Sequence, residues 1–360
     1  MVKKLNGPVR VGCVGYATEQ GLGRLAKSFY DAGVITEMVV FRHSIRNRVT
    51  NLTWYPPDTP EFSGRPFHSY YPDKMWKFLK SVDVVLFFET PFDWTFLADC
   101  YYHGVKTVLM PMYEWTPKVW PARPPDAILC PSLLDLEYFH KEFGNRCVFL
   151  RVPVDSSKWE LRKRADRFLH NAGNIGHREH KGTRQLLEAV PLVVDPEFRL
   201  TVRAQDVSAL QSILQSVPQA TKDPRLKIEL GEIPYENLWK GYDVYVAPEK
   251  FNGLSLPLQE ARAAGMVVMT TDRYPANNWL PMESLIAPDR YNRVNISSNY
   301  LDFDEAVVDP AAIAEKIDRW VGRDITSYSL SGKEWAEANN WSSLKEKYLD
   351  FFTKVAEERL

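Results

Sequence analysis

Twice along this chain, short runs rich in apolar residues alternate with stretches of helical spacing. That alternation constrains the fold more than any other feature. The first series holds Arg10 to Ala17, Val39 to Phe41, VDVVLFFE (82–89), TVLMPM (107–112), Ala127 to Cys130 and Cys147 to Val152. Between them lie the helical patterns LAKSFYDAGV, Met75 to Lys80, FDWTFLADCYYHG ending at Gly104, and LLDLEYFHKEFG (133–144). Runs apolar on both faces are strands covered on both sides, and strands separated by helices form parallel, doubly wound sheets. After the turn-rich connection VPVDSSKWELRKRA (152–165) the pattern restarts. Strands are expected at Arg167 to Ala172, Leu200 to Ala204, Leu226 to Leu230, Tyr242 to Ala247 and Val267 to Thr271. Helices are expected at Thr183 to Val194, Val207 to Val217, Tyr235 to Lys240, Ala311 to Gly322 and from Trp335 to the end. A chain of 360 residues is long for one core. The expectation is α/β: two Rossmann-like domains, 1–152 and 153–325, facing a central cleft, with 326–360 packing back on the first.

Composition excludes little. The formal net charge of −1 gives no global argument for a polyanionic partner. A nucleic-acid acceptor is therefore possible but not favoured, although loop 42–55 is basic and aromatic. Cys13, Cys100, Cys130 and Cys147 lack metal spacing and read as buried reduced thiols. The histidines show no clean ligand spacing either, so no metal is expected. The N-terminus has no long apolar run before its first strand, and no membrane span is visible, which points to a cytoplasmic protein.

Candidate chemistry gathers at the carboxyl ends of predicted strands, where ligands bind in open α/β sheets. The block GYDVYVAPEKFNGLSLPLQEARAAGMVVMTTD (241–272) reads as strand, loop, helix, strand. Pro257 suits the first helical position, Gly265 the helix end, and Glu260 the first turn. Amides of Gly253, Leu254 and Ser255 precede the helix, in a field suited to phosphate or sugar oxygens. A second loop, NAGNIGHREHKGT (171–183), carries Gly173, Arg178 and Lys181 ahead of Thr183, a plausible N-cap. A third, GYATEQGLGR (15–24), places Gly21 and Gly23 between the first strand and its helix without the full dinucleotide fingerprint. In MPMYEWTP (110–117), Tyr113 and Glu114 follow a strand of the first half. Taken singly, each of these has a bland structural explanation.

In this order the blocks resemble GT-B retaining glycosyltransferases of family 4, the group 1 glycosyl transferases. The strongest likeness is Asn252-Gly-Leu-Ser-Leu-Pro-Leu-Gln-Glu260-Ala-Arg-Ala-Ala-Gly265, set beside the family's E-x7-E block. The resemblance implies transfer of a sugar, with retention, from a nucleotide-diphosphate sugar to an acceptor hydroxyl of unknown class. The donor is a co-substrate, UDP- or GDP-sugar, and no cofactor is needed. Glu260 would hold the ribose, Gly253 to Ser255 would meet sugar and phosphate, and Lys181 the diphosphate. Gly21 and Gly23 would let the first domain approach the phosphate. Asn252 stands where the family has its first acid, and Glu249 is the nearest replacement. Gly176 stands where the family has an arginine, leaving Arg178 or Arg203 to supply that charge. Glu114 or Tyr113 occupies about the place of the N-terminal catalytic histidine. A sugar-nucleotide-binding protein without catalysis and a sugar-nucleotide epimerase are the alternatives on the same fold. A dinucleotide-dependent oxidoreductase is disfavoured by the incomplete glycine fingerprint.

Overall fold

A computed structural model describes Leu5 and residues 7–42, 51–173 and 179–360. The chain divides into two units: Met1–Val152 with Asn295–Leu301 and Trp341–Leu360, and Pro153–Val294 with Asp302–Asn340.

The first unit is built on seven strands: β1 (Val11–Gly15), β2 (Glu37–Phe41), β3 (Glu61–Phe62), β4 (Val84–Glu89), β5 (Lys106–Pro111), β6 (Ala127–Cys130) and β7 (Cys147–Phe149). Their order is β3-β2-β1-β4-β5-β6-β7, and every pairing is parallel. The helices α1 (Gly21–Asp31), α2 (Phe67–Tyr70), α3 (Pro72–Ser81), α4 (Phe96–Tyr102) and α5 (Leu133–Phe143) connect them. The side chains of Val39, Val85, Phe87, Leu109 and Ile128 form one continuous core with Phe78, Phe96 and Phe139 from the helices. Sequence order reverses between β1 and β4, the switch point beside which such sheets bind ligands.

The second unit repeats the plan with β8 (Phe168–Gly173), β9 (Leu200–Ala204), β10 (Leu226–Leu230), β11 (Val244–Ala247), β12 (Val267–Thr271) and β13 (Leu285–Ile286). Their order is β10-β9-β8-β11-β12-β13, again parallel throughout. Helices α6 (Thr183–Ala189), α7 (Val207–Ser216), α8 (Pro218–Thr221), α9 (Leu256–Ala263), α10 (Pro310–Asp318) and α11 (Thr326–Ala338) belong to this unit. An antiparallel ribbon of β14 (Arg290–Val294) and β15 (Phe303–Val307) was not expected from the sequence. Tyr245, Val268 and Leu258 fill one face of the main sheet, and Phe168, Val246 and Leu187 the other.

The last helix, α12 (Trp341–Ala356), lies in the first unit. There Trp341 meets Phe29 edge to face at 4.8 Å and donates to Ser28 Oγ at 2.6 Å. Tyr348, fully buried, donates to the Arg151 carbonyl at 2.7 Å. The expected boundary at 326 is therefore too early: α11 stays with the second unit, and the crossing falls between Asn340 and Trp341, inside the single helix expected from Trp335 to the end. The first-helix glycines also need correction. Gly21 and Gly23 open α1 rather than preceding it. A Cβ on Gly23 would sit 2.2 Å from the Thr18 carbonyl, so this glycine lets the helix start pack on its own turn.

Candidate functional site

In the second unit, three loops at the carboxyl ends of β8, β11 and β12 converge on one side chain. Glu249, two residues past β11, is wholly buried. Lys181 donates to its Oε1 at 2.6 Å, and Arg273, just past β12, donates to its Oε2. Ser255, at the start of α9, donates to the same Oε2. Burial alone would push this carboxyl up. The Lys181 and Arg273 charges, with hydrogen bonds from Lys181 and Ser255, outweigh burial and hold it at about 2. Lys181 is 12% exposed and Arg273 3%, so both cations are largely out of water. Two cations face one carboxylate, a surplus of one positive charge.

The loop carrying Lys181 is locked to its neighbour. The Lys250 amide donates to the His180 carbonyl at 2.8 Å, and the Lys250 ammonium to Glu179 at 2.7 Å. Gly182 is left-handed at φ +72, and a Cβ there would lie 2.0 Å from the Pro248 carbonyl. Only glycine allows that approach. Gly182, not Thr183, holds the cap position of α6, and the Glu179 carboxylate accepts from the Thr183 amide. The Thr183 hydroxyl is used instead by His170, at 2.8 Å from Nε2. His170 Nδ1 donates to the Val246 carbonyl at 2.7 Å, and burial lowers the ring to about 4. His180 is lowered to about 4 by burial and then by Lys181. Both rings are neutral near pH 7.

Asn252 does work the sequence assigned elsewhere. Its side-chain carbonyl accepts from the amides of Leu254 at 3.2 Å and Ser255 at 2.7 Å. Those amides, expected to await phosphate or sugar, are thus committed to a local turn that Ser255 completes at φ +54. Arg273 holds the Asn252 carbonyl at 2.9 Å and fixes the same turn from outside. Gly253 is buried within it. Glu260 lies one residue further into the helix than expected, at the fifth residue of α9 and just past its first turn, because the helix starts at Leu256 and Pro257 is its second residue. Glu260 is half-buried and accepts from the Tyr235 hydroxyl at 2.9 Å. Gly265 ends the helix at φ +84, as the sequence indicates.

Not every candidate joins this cluster. The Arg203 guanidinium is not in the Glu249 network: it donates to Glu229 at 2.7 Å and to the Leu238 carbonyl at 2.8 Å. Gly173 closes β8 at φ +60 with nothing within 4 Å of a Cβ. Arg178, with Gly176 and most of loop 42–55, lies outside the described residues. Arg273, Glu179, Tyr235 and Lys250 are the members that sequence reasoning missed. Arg273 lies two residues past β12, after Thr271 and Asp272, with no motif to mark it.

In the first unit Glu114 sits in a 3-10 turn, Tyr113–Trp115, past β5. Near it Asp135 is fully buried and shares a reciprocal cap with Ser132 at the start of α5. Burial, reinforced by the Glu114 charge, raises the Asp135 carboxyl well above its ordinary range. Glu89 closes β4 in a left-handed conformation at φ +65, a strained geometry for a side-chain-bearing residue. Among the described residues no group of three or more His, Cys, Asp or Glu is placed to hold a metal ion. Among them too, no helix is long and apolar enough to cross a membrane.

Comparison with known proteins decides the family of the second unit. Residues 167–290 match the family model described as Glycosyl transferases group 1. This segment is a group 1 glycosyl transferase domain. It contains the Lys181, Glu249, Glu260 and Arg273 constellation. No curated protein sequence matches the chain. Solved structures resemble it over nearly its whole length, and at these identities they report the fold alone. A glycosyltransferase from Rickettsia africae ESF-5 is 12% identical, with a TM-score of 0.69, covering 98% of this chain and 99% of that one. Anabaena Alr3699/HepE in complex with UDP and glucose is 9% identical, with a TM-score of 0.70, covering 97% and 100%. Sucrose-phosphate synthase (tll1590) from Thermosynechococcus elongatus is 13% identical, with a TM-score of 0.64, covering 96% and 99%. The architecture is GT-B: two Rossmann-like units, each described above.

Proposed function

We propose that this glycosyltransferase moves a sugar, with retention, from a nucleotide-diphosphate sugar to an acceptor hydroxyl, and that it needs no bound metal. The observation that carries this reading is the surplus positive charge around buried Glu249, at the carboxyl edge of the group 1 domain. A largely desolvated cation excess is costly alone and favourable once an anion arrives. Of the two cations on Glu249, Lys181 is the more exposed, and it takes the diphosphate oxygens. Glu260, now held by Tyr235, accepts from the ribose hydroxyls. A relative of the same fold is described in complex with UDP and glucose, which supports a uridine donor.

In the reaction the anomeric carbon–oxygen bond to the diphosphate breaks, and its electron pair leaves with the phosphate. Lys181 meets the growing charge, the task a divalent ion performs in other transferases. The acceptor oxygen forms the new bond on the face the phosphate leaves, and its proton passes to the leaving phosphate. His170 and His180 are neutral and supply no charge at neutral pH. Binding without turnover is the competing reading, favoured by Asn252 at the family's first acid. Incubation with UDP-glucose or GDP-mannose separates them: released nucleotide diphosphate and an α-configured product by NMR are expected. Tight binding with no donor turnover and no transfer would establish the competing reading.

A further inference from the structure

The network around Glu249 contains more than a cation for the diphosphate, because its second cation cannot reach a ligand. Arg273 is 3% exposed. Its guanidinium is spent on the Glu249 carboxylate, the Ser255 hydroxyl at 2.9 Å and the Asn252 carbonyl at 2.9 Å. We propose that Arg273 is a positioning residue for donor binding: it neutralises Glu249 and fixes the 252–255 turn, so that the Lys181 charge remains in excess and directed at the donor diphosphate. The inference rests on the donor site assigned above.

The logic is electrostatic. Lys181 and Glu249 alone make a neutral pair, and a neutral buried pair has little attraction for an anion. Arg273 occupies Oε2 while Lys181 holds Oε1, so the carboxylate is shared and one positive charge is left over. The Lys250–Glu179 pair beside it is balanced and adds no charge. His180 and His170 are held neutral, so neither substitutes for the arginine. The fork geometry matters as well. From the end of β12, one guanidinium bridges a carboxylate, a hydroxyl and a backbone carbonyl of the segment that follows β11, which a single ammonium cannot do at once.

The test is a charge-restoration cycle with UDP-glucose and GDP-mannose as probes, read by calorimetry, with circular dichroism to verify folding. Arg273→Met should weaken binding about tenfold or more, the scale of one lost charge-assisted contact. Arg273→Lys restores the charge but not the three-way fork, so it should recover part of that loss. The double variant Glu249→Gln, Arg273→Met removes one charge of each sign, returns the surplus to Lys181, and should regain binding relative to Arg273→Met. In Arg273→Met the Glu249 carboxylate keeps Lys181 as its partner, so the single variant is expected to fold, and Arg273→Lys gives the reading where it does not. A double variant that folds yet binds no better than Arg273→Met would overturn the charge role, as would unchanged binding by Arg273→Met. If the unmodified protein binds neither probe, nor ADP-glucose or dTDP-glucose, the failure lies with the donor site itself.

Discussion

Lys181→Met should cost the second unit about 2 kcal/mol near pH 7, and the cost should shrink as the solution becomes acid. The magnitude follows from Glu249. Its carboxyl is held at about 2 against an ordinary 4.5, which corresponds to about 3 kcal/mol of native-state stabilisation. The folded value is depressed, so this stabilisation is fully present above pH 4.5 and is lost as pH falls through about 2. Lys181 supplies one of the two ion pairs responsible, at 2.6 Å, and a hydrogen bond to a charged group is worth roughly 1.5–3 kcal/mol. Arg273 remains in the variant, so the larger penalty of a wholly unpaired buried charge, roughly 3–5 kcal/mol, does not apply. Amide hydrogen exchange on β8 and β11 reads the opening energy of this unit directly. The difference between variant and unmodified protein should be about 2 kcal/mol at pH 7 and clearly smaller at pH 3. A difference under about 0.5 kcal/mol at pH 7, or one independent of pH, would refute the account of Glu249 as a charge held down by Lys181.

Two further outcomes are expected. Gly182→Ala places a side chain at φ +72 and 2.0 Å from the Pro248 carbonyl, so it should cost at least about 2 kcal/mol and weaken UDP-glucose binding together. Thermal unfolding and calorimetry check both, and unchanged values would contradict the close packing of the two loops. Sugar transfer should survive excess chelator, because Lys181 takes the diphosphate charge. Activity abolished by chelator and restored by a divalent ion would contradict that role.

Much of this architecture is legible in the sequence because buried parallel strands leave long apolar runs. The runs at β6, β9 and β12 mark their strands residue for residue, and the partly exposed edge strand β10 is marked by alternation instead. The antiparallel ribbon escaped because RYNRV is polar and mostly exposed, and FDEAV interrupts its buried Phe303 and Ala306 with two acids, so no apolar run announces either strand. The join of α11 to α12 escaped because Asn339-Asn340 interrupts helical spacing only briefly. At the site, Lys181, Glu249, Asn252 and Ser255 were visible through their loops, and the structure brings them together. Arg273 was not, because its contact with Glu249 spans 24 residues and follows no motif. Asn252 was misjudged for a related reason. A sequence shows an amide where an acid was expected, but not that its carbonyl takes two backbone amides.

The central claim is that the carboxyl edge of the second unit holds a nucleotide-diphosphate sugar through Lys181 and Glu260. A thermal-shift panel of UDP-, GDP-, ADP- and dTDP-sugars tests it most directly, since a ligand at 100 times its Kd stabilises the native state by about 2.7 kcal/mol. One nucleotide class should raise the melting temperature, and Glu260→Ala should abolish most of that shift. No shift with any donor, or a shift indifferent to Glu260→Ala and Lys181→Met alike, would contradict it.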